Sequence, residues 1–203
     1  LILGSRLSGR AFYVTSTLVI VELLIPFFLA FEGRRPQARE LVVLAVMCAL
    51  AVAGRVAIPI PSFKAIFGII MIAGIAFGPE SGFLVGAISA LASNFFYSQG
   101  PYTPWQMMAY GAGGMLAGFV FARGRLPRKP VIMGIFGFLA VTFFVGPLLD
   151  TCSVFLVMSR ITLKGAMAFY ISGFPVNLRQ AVATAIVLLV LGNPLLEKLD
   201  RIK

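Results

Sequence analysis

The run Val131-Ile-Met-Gly-Ile-Phe-Gly-Phe-Leu-Ala-Val-Thr-Phe-Phe-Val-Gly-Pro-Leu-Leu-Asp-Thr-Cys-Ser-Val-Phe-Leu-Val157 decides the fold, with Asp150 its one charged residue. A helix needs about 20 apolar residues to cross a bilayer, and this run exceeds that. Working outward, six more apolar runs appear, at 11–31, 40–58, 64–78, 82–97, 104–122 and 166–192. Lipid cannot satisfy an exposed backbone, so helices are the economical way to span it. The expected fold class is therefore an all-α integral membrane protein of seven spans. The third and fourth are short and joined by Phe77-Gly-Pro-Glu-Ser-Gly82, a breaker cluster that predicts a tight turn. Pro147 and Pro175, inside the last two runs, predict kinks.

Composition agrees. Of 203 residues, 60% are hydrophobic and 12% charged, where soluble domains carry about 25% charged residues. The net charge of +10 sits in short clusters between the apolar runs, which is a membrane pattern and no stripe for nucleic acid. Cys48 and Cys152 fall inside apolar runs and read as small buried hydrophobes. The sequence begins at Leu1 without a methionine, which leaves residues upstream open. The first run is too long for a signal-peptide core and lacks a small-residue cleavage site.

Basic clusters orient the spans. Placing 32–39 in the cytoplasm puts Arg34, Arg35 and Arg39 inside. Seven-fold alternation then adds Arg123, Arg125, Arg128 and Lys129, and a cytoplasmic C-terminus with Lys198, Arg201 and Lys203. Loops 59–63, 98–103 and 158–165 face outward. Residues 1–39 read as an extra N-terminal transmembrane helix and basic linker, and 40–203 as a six-helix membrane domain. The expected location is the plasma membrane, multi-pass.

Several motifs carry function. Ala45, Ala49 and Ala53 form a small-residue stripe that packs either inside the chain or against a partner helix. Gly74 and Gly78, Gly82 and Gly86, and Gly114 and Gly118 permit tight internal helix contacts. The outer end collects Arg55, Ser62, Lys64, Asn94, Tyr97, Gln99, Tyr102, Thr103, Trp105, Gln106 and Tyr110, with Asp150 and Asn177 deeper. Apolar bodies with a few fixed polar groups suit a small-molecule pocket. An aromatic belt at the headgroups is the other reading of Tyr97, Tyr102 and Trp105, but it does not explain Asn94 and Gln106. Arg55 is expected within reach of Asp150 as an ion pair, and Arg179 is expected to snorkel toward the cytoplasmic interface. Phe174-Pro-Val-Asn177 is expected to break its helix, as at many transporter sites.

Absences narrow the class. There is no G-x-x-x-x-G-K-[ST] loop, no histidine and no G-x-S-x-G elbow. No catalytic residue, metal ligand or directly bound cofactor is expected, and ATP-driven energy must come from another chain.

Over about 40–203 the sequence resembles the substrate-binding S components of energy-coupling factor (ECF) vitamin transporters. Three features carry the resemblance: Ala45-Val-Met-Cys-Ala49-Leu-Ala-Val-Ala53, Gly54-Arg-Val-Ala-Ile-Pro-Ile-Pro-Ser-Phe-Lys64, and Phe77-Gly-Pro-Glu-Ser-Gly-Phe-Leu-Val-Gly-Ala-Ile-Ser-Ala-Leu-Ala-Ser-Asn94 followed by Pro104-Trp-Gln-Met107. The resemblance implies a six-helix S-component-like bundle, here preceded by one extra helix, that captures a vitamin at the outer face. Its implied partners are a transmembrane coupling subunit, docked on the alanine stripe, and two ATPase subunits that use the ATP. The third feature is most similar to the cobalamin-type branch; riboflavin, pantothenate and folate remain alternatives, as does a membrane scaffold without a vitamin pocket. The expected substrate-binding residues are Arg55, Lys64, Asn94, Tyr97, Tyr102, Trp105, Gln106, Tyr110 and Asn177.

Overall fold

The computed structural model describes residues 9–33, 37–122, 124–158 and 160–202. Arg34, Arg35, Arg123 and Lys203 of the basic clusters lie outside them. The helices are α1 (Gly9–Gly33), α2 (Ala38–Val56), α3 (Ile66–Phe77), α4 (Pro79–Tyr97), α5 (Thr103–Ala117), α6 (Pro130–Ala140), α7 (Gly146–Val157) and α8 (Leu163–Ile202). α6 and α7 are one continuous rod through a π turn at Val141–Val145, and a second π turn at Gly118–Ala122 extends α5. The rods Pro130–Val157 and Leu163–Arg201 are each long and apolar enough to cross a bilayer.

α3 is the hub. Every residue from Ile66 to Ala76 is buried, beneath α2, α4, α5 and α8. A helix apolar on all sides has no face for water, so burial by neighbours is its only stable setting. The turn from α3 to α4 needs its glycine: Gly78 has φ +102°, and Pro79 then starts α4 with its φ already set. α4 and α5 run closely paired from there. Gly74, Gly82 and Gly114 bring three helices to backbone contact, and a Cβ on Gly82 would lie 2.7 Å from the Cα of Gly74. These glycines serve the tight packing that their spacing predicts.

Pro147 and Pro175 resolve differently. Pro147 has no N–H for the carbonyl four residues earlier, and the chain widens into the π turn just before it, with the Gly146 N–H bonded to Val141 O. At Pro175 the expected break does not occur, because α8 runs helical from Leu163 to Ile202. One lost hydrogen bond does not part a helix anchored on both sides. Asn177 Nδ2 donates to Asp150 Oδ2 at 2.7 Å, and Ala181, Thr184 and Leu188 are buried in the core.

α1 lies on the α4–α5 flank. Ile20 and Leu24 are buried there with Phe83 and Ala87, and the Phe27 ring stacks on Phe83 at 4.1 Å. At one end of the bundle Arg128 ties the chain together: Nη2 donates to Ile75 O at 3.1 Å and Nη1 meets Asp200 Oδ2 at 3.2 Å.

Candidate functional site

The opposite end carries the polar residues. Arg55 lies in the last turn of α2 and points at α4. Its guanidinium donates to Ser93 Oγ and, at 2.9 Å, to Asn94 Oδ1. Asn94 is fully buried. Its Nδ2 donates to Gln106 Oε1 at 2.8 Å and to Thr103 Oγ1 at 3.1 Å, and Thr103 Oγ1 in turn donates to Gln99 Oε1 at 2.9 Å. A buried amide left unpaired is costly, so this chain of bonds explains how Asn94 sits in an apolar helix pair.

Tyr97 closes the assembly from outside. Its hydroxyl donates to Arg55 O at 3.0 Å. The Arg55 guanidinium carbon lies 5.0 Å from the Tyr97 ring centroid and 5.6 Å from that of Tyr110, while Lys64 Nζ is 5.9 Å from Tyr97. Such distances are those of cation–π attraction. Lys64 Nζ also donates to Ile58 O. Arg55, Ser62, Lys64, Ile66, Phe67, Tyr97, Tyr110 and Gln180 line a half-open cavity of about 190 Å³. Two of the bounding loop residues, Ser62 and Ser98, hold left-handed backbone with φ of 60° and 85°, a conformation that side chains other than glycine enter at a cost.

Of the residues expected from sequence, Arg55, Lys64, Tyr97 and Tyr110 line this cavity, with Asn94 and Gln106 forming the layer behind Arg55. Tyr102 stands apart, donating to Ser98 O at 2.8 Å. Trp105 is elsewhere: its ring stacks on Phe155 at 5.4 Å and it packs in the cluster under α1. Asn177 does not line the cavity and is held by Asp150. The expected Arg55–Asp150 ion pair is not formed. Arg55 finds neutral oxygens on α4, whereas Asp150 is wedged between α7 and α8, its carboxylate over the bare Cα of Gly173. Arg179 does not reach the end marked by Arg128 and Asp200. It stands 22 positions before Arg201, about 33 Å along a helix, and its Nε donates to Pro175 O at 3.3 Å. Ile66, Phe67 and Gln180 were not expected from the sequence; Gln180 is an amide beside an arginine on an apolar helix, the only signal that pointed to it.

The alanine stripe occupies another surface of α2. Leu44, Met47, Cys48 and Ala51 turn inward, while Ala45, Ala49 and Ala53 are exposed, so packing inside the chain is not their role. Ala49 and Ala53 line a shallow apolar groove of about 520 Å³ with Val52, Val56, Ala92 and Phe96.

No curated protein and no solved structure matches the chain. A family model does: that of the ECF-type riboflavin transporter S component, over residues 36–197. The match is to the riboflavin branch, and the cobalamin-type branch suggested by the outer-loop motif is not supported by it. S components are multi-pass membrane subunits of transporters and not enzymes, and they work with a transmembrane coupling subunit and two ATPases. The matched segment takes in every helix of the bundle beyond α1, and the protein belongs to the family of ECF-type riboflavin transporter S components.

Proposed function

We propose that the chain is the substrate-binding subunit of an ECF-type uptake transporter and captures a flavin-type vitamin between the outer ends of α2, α3, α4, α5 and α8. The observation that carries this is the cavity itself: two tyrosine rings and one guanidinium line one opening, and the Asn94–Gln106 amides stand directly behind the guanidinium. Flat aromatic walls with a few directional polar groups suit a planar heteroaromatic ligand. The family match favours riboflavin. So does size. Ligand sites start at about 300 Å³, and 190 Å³ is smaller. Swinging out the exposed Tyr97 enlarges the cavity toward a tricyclic ring. A corrinoid would require rebuilding the whole outer end. Asn94 and Gln106, now bonded to each other, would exchange that bond for ligand edges.

Membrane orientation and docking belong to the same proposal. Arg39, Arg125, Lys129, Lys198 and Arg201 gather with Arg128 at the end away from the cavity. The positive-inside rule makes that end, and the C-terminus, cytoplasmic. The exposed stripe Ala45, Ala49 and Ala53 is then the seat of the coupling subunit, since small residues let helices approach closely in lipid. α1 is then an accessory helix beside the 40–203 substrate-binding unit. Titrating the purified protein with riboflavin, followed by quenching of flavin fluorescence, tests the reading: saturable one-to-one quenching is expected. Retention of cyanocobalamin colour with no flavin quenching would overturn the choice of vitamin, and binding of neither would overturn the cavity as a vitamin site.

A further inference from the structure

Helix α1 carries a charge on its outward face. Its 25 residues measure about 37 Å at 1.5 Å each, enough for a hydrocarbon core of about 30 Å. Glu22, the one charged residue in 11–31, stands near the middle. Two stripes run along the helix. Ile20, Leu24, Phe27 and Phe31 pack inward. Leu18, Ile25 and Leu29 are exposed, and Glu22 is exposed in register with them, a shift of two residues that turns this stripe about 200° from the first. Glu22 makes no hydrogen bond or ion pair among the described residues. Four residues on, Pro26 has no N–H to give the Glu22 carbonyl. Carboxyl and carbonyl of one residue thus both call for a donor at mid-helix. The family match begins at residue 36 and covers no part of α1.

An ionisable group at this depth is costly unless it meets a partner or a polar cavity, and polar side chains bond across helices in lipid. A second α1 does not serve: its run 11–31 has no basic residue, and a copy would set carboxyl against carboxyl. The surface around α1 points to another occupant. On α4, Phe83 and Ala87 face α1, Ala92 and Phe96 line the alanine groove, and the exposed Ile88, Leu91 and Phe95 fill the sector between. Groove and α1 therefore border one continuous apolar face. We infer that the outward face of α1 is a second seat for the coupling subunit, one of whose transmembrane helices presents a lysine, arginine or amide donor to Glu22. This rests on the docking reading of the alanine stripe and widens it from α2 to α1.

The test uses the full chain, with the photo-crosslinker p-benzoylphenylalanine in place of Ile25, co-expressed with the coupling subunit and both ATPases. Illumination is expected to join it to the coupling subunit, identified by mass. Glu22→Leu is expected to weaken the complex about tenfold, with the Tm of the chain alone little changed, and Glu22→Gln, which keeps an acceptor, recovers most of that loss. Crosslinks only to a second copy or only to lipid overturn the inference, and so does normal assembly by Glu22→Leu. Ala49→Trp separates the two readings. Assembly by that variant, with the Ile25 crosslink present, removes the stripe and keeps α1 as a seat. Its failure to assemble, with no crosslink at Ile25 in the otherwise native chain, keeps the stripe and removes α1.

Discussion

At the level of Gly114, three helices meet backbone to backbone; at the level of Arg55, side chains hold the same region of the bundle apart around a cavity. The first level is fixed by shape. A Cβ there meets backbone atoms that have no rotamer with which to yield. The second is fixed by exchangeable bonds, Arg55 to Asn94, Asn94 to Gln106 and Tyr97 to Arg55 O. Each of these can be traded for a ligand's atoms at little net cost, because an incoming hydrogen bond replaces an outgoing one. The contrast teaches where change is tolerated: the crossing must stay intact for the outer end to be free to open.

The sharpest way to break this contrast is at the crossing. Gly114→Leu forces a side chain into the Gly82 backbone and the Ile70 side chain. It is expected to cost about 3 kcal/mol or more, seen as loss of monodisperse protein or a large fall in Tm in detergent. A well-folded variant with normal ligand binding would show that the crossing is softer than its contacts imply. Next in size is Ala49→Trp on the exposed stripe. Co-purification with the coupling subunit is expected to disappear, since the ring holds a partner helix away and forfeits close dispersion contacts. Flavin quenching by the variant alone persists. Normal assembly would mean that the stripe simply faces lipid.

Asn94→Leu probes the exchangeable level. It removes an acceptor from Arg55 and a donor from Gln106 and Thr103. An unpaired polar group of this kind costs about 1–3 kcal/mol, seen as a modest fall in Tm because these bonds also hold the ligand-free bundle, and loss of the same groups is expected to weaken affinity roughly tenfold to hundredfold, read by flavin titration. The smallest effect is expected from Trp105→Phe. The Trp105 Nε1 is buried without a hydrogen-bond partner among the described residues. Losing it removes an unpaired donor while the stacking on Phe155 is kept. Stability should move by about 1 kcal/mol or less, and ligand affinity should not move. A marked loss of affinity would put Trp105 back at the ligand.

That last residue shows where sequence reasoning succeeds and where it stops. The apolar helices were legible because length and apolarity are properties of a run, and the Phe77–Pro79 turn because glycine and proline have few conformations to choose from; two rods, Pro130–Val157 and Leu163–Arg201, are long and apolar enough to cross a bilayer. The polar segment 94–110 was legible as a cluster but not as a geometry. Each residue of a helix turns by about 100° from the last, so Gln106 and Tyr110, four apart, share the cavity side of α5. Trp105, next to Gln106 in sequence, turns to α7 and the flank that α1 covers. Partners across the bundle were illegible: nothing in the order of residues says that Arg55 meets Asn94 while Asp150 meets Asn177. Gln180 lacked a local signal strong enough to separate it from its neighbours, and it is the packing of α8 on α3 that brings it to the cavity.

The unbroken course of α8 has a consequence for how the protein sits in a membrane. Its 40 residues measure about 60 Å at 1.5 Å each, against a hydrocarbon core of about 30 Å. Exposed apolar side chains occur along much of that length, from Leu163, Met167 and Ile171 to Ile186 and Val190. An upright rod would thrust its first four turns into water. A lean buries them, and the angle of lean becomes a function of bilayer thickness. Thin membranes favour a more reclined bundle and thick ones a steeper stance, so lipid chain length sets how steeply the mouth of the cavity faces the medium.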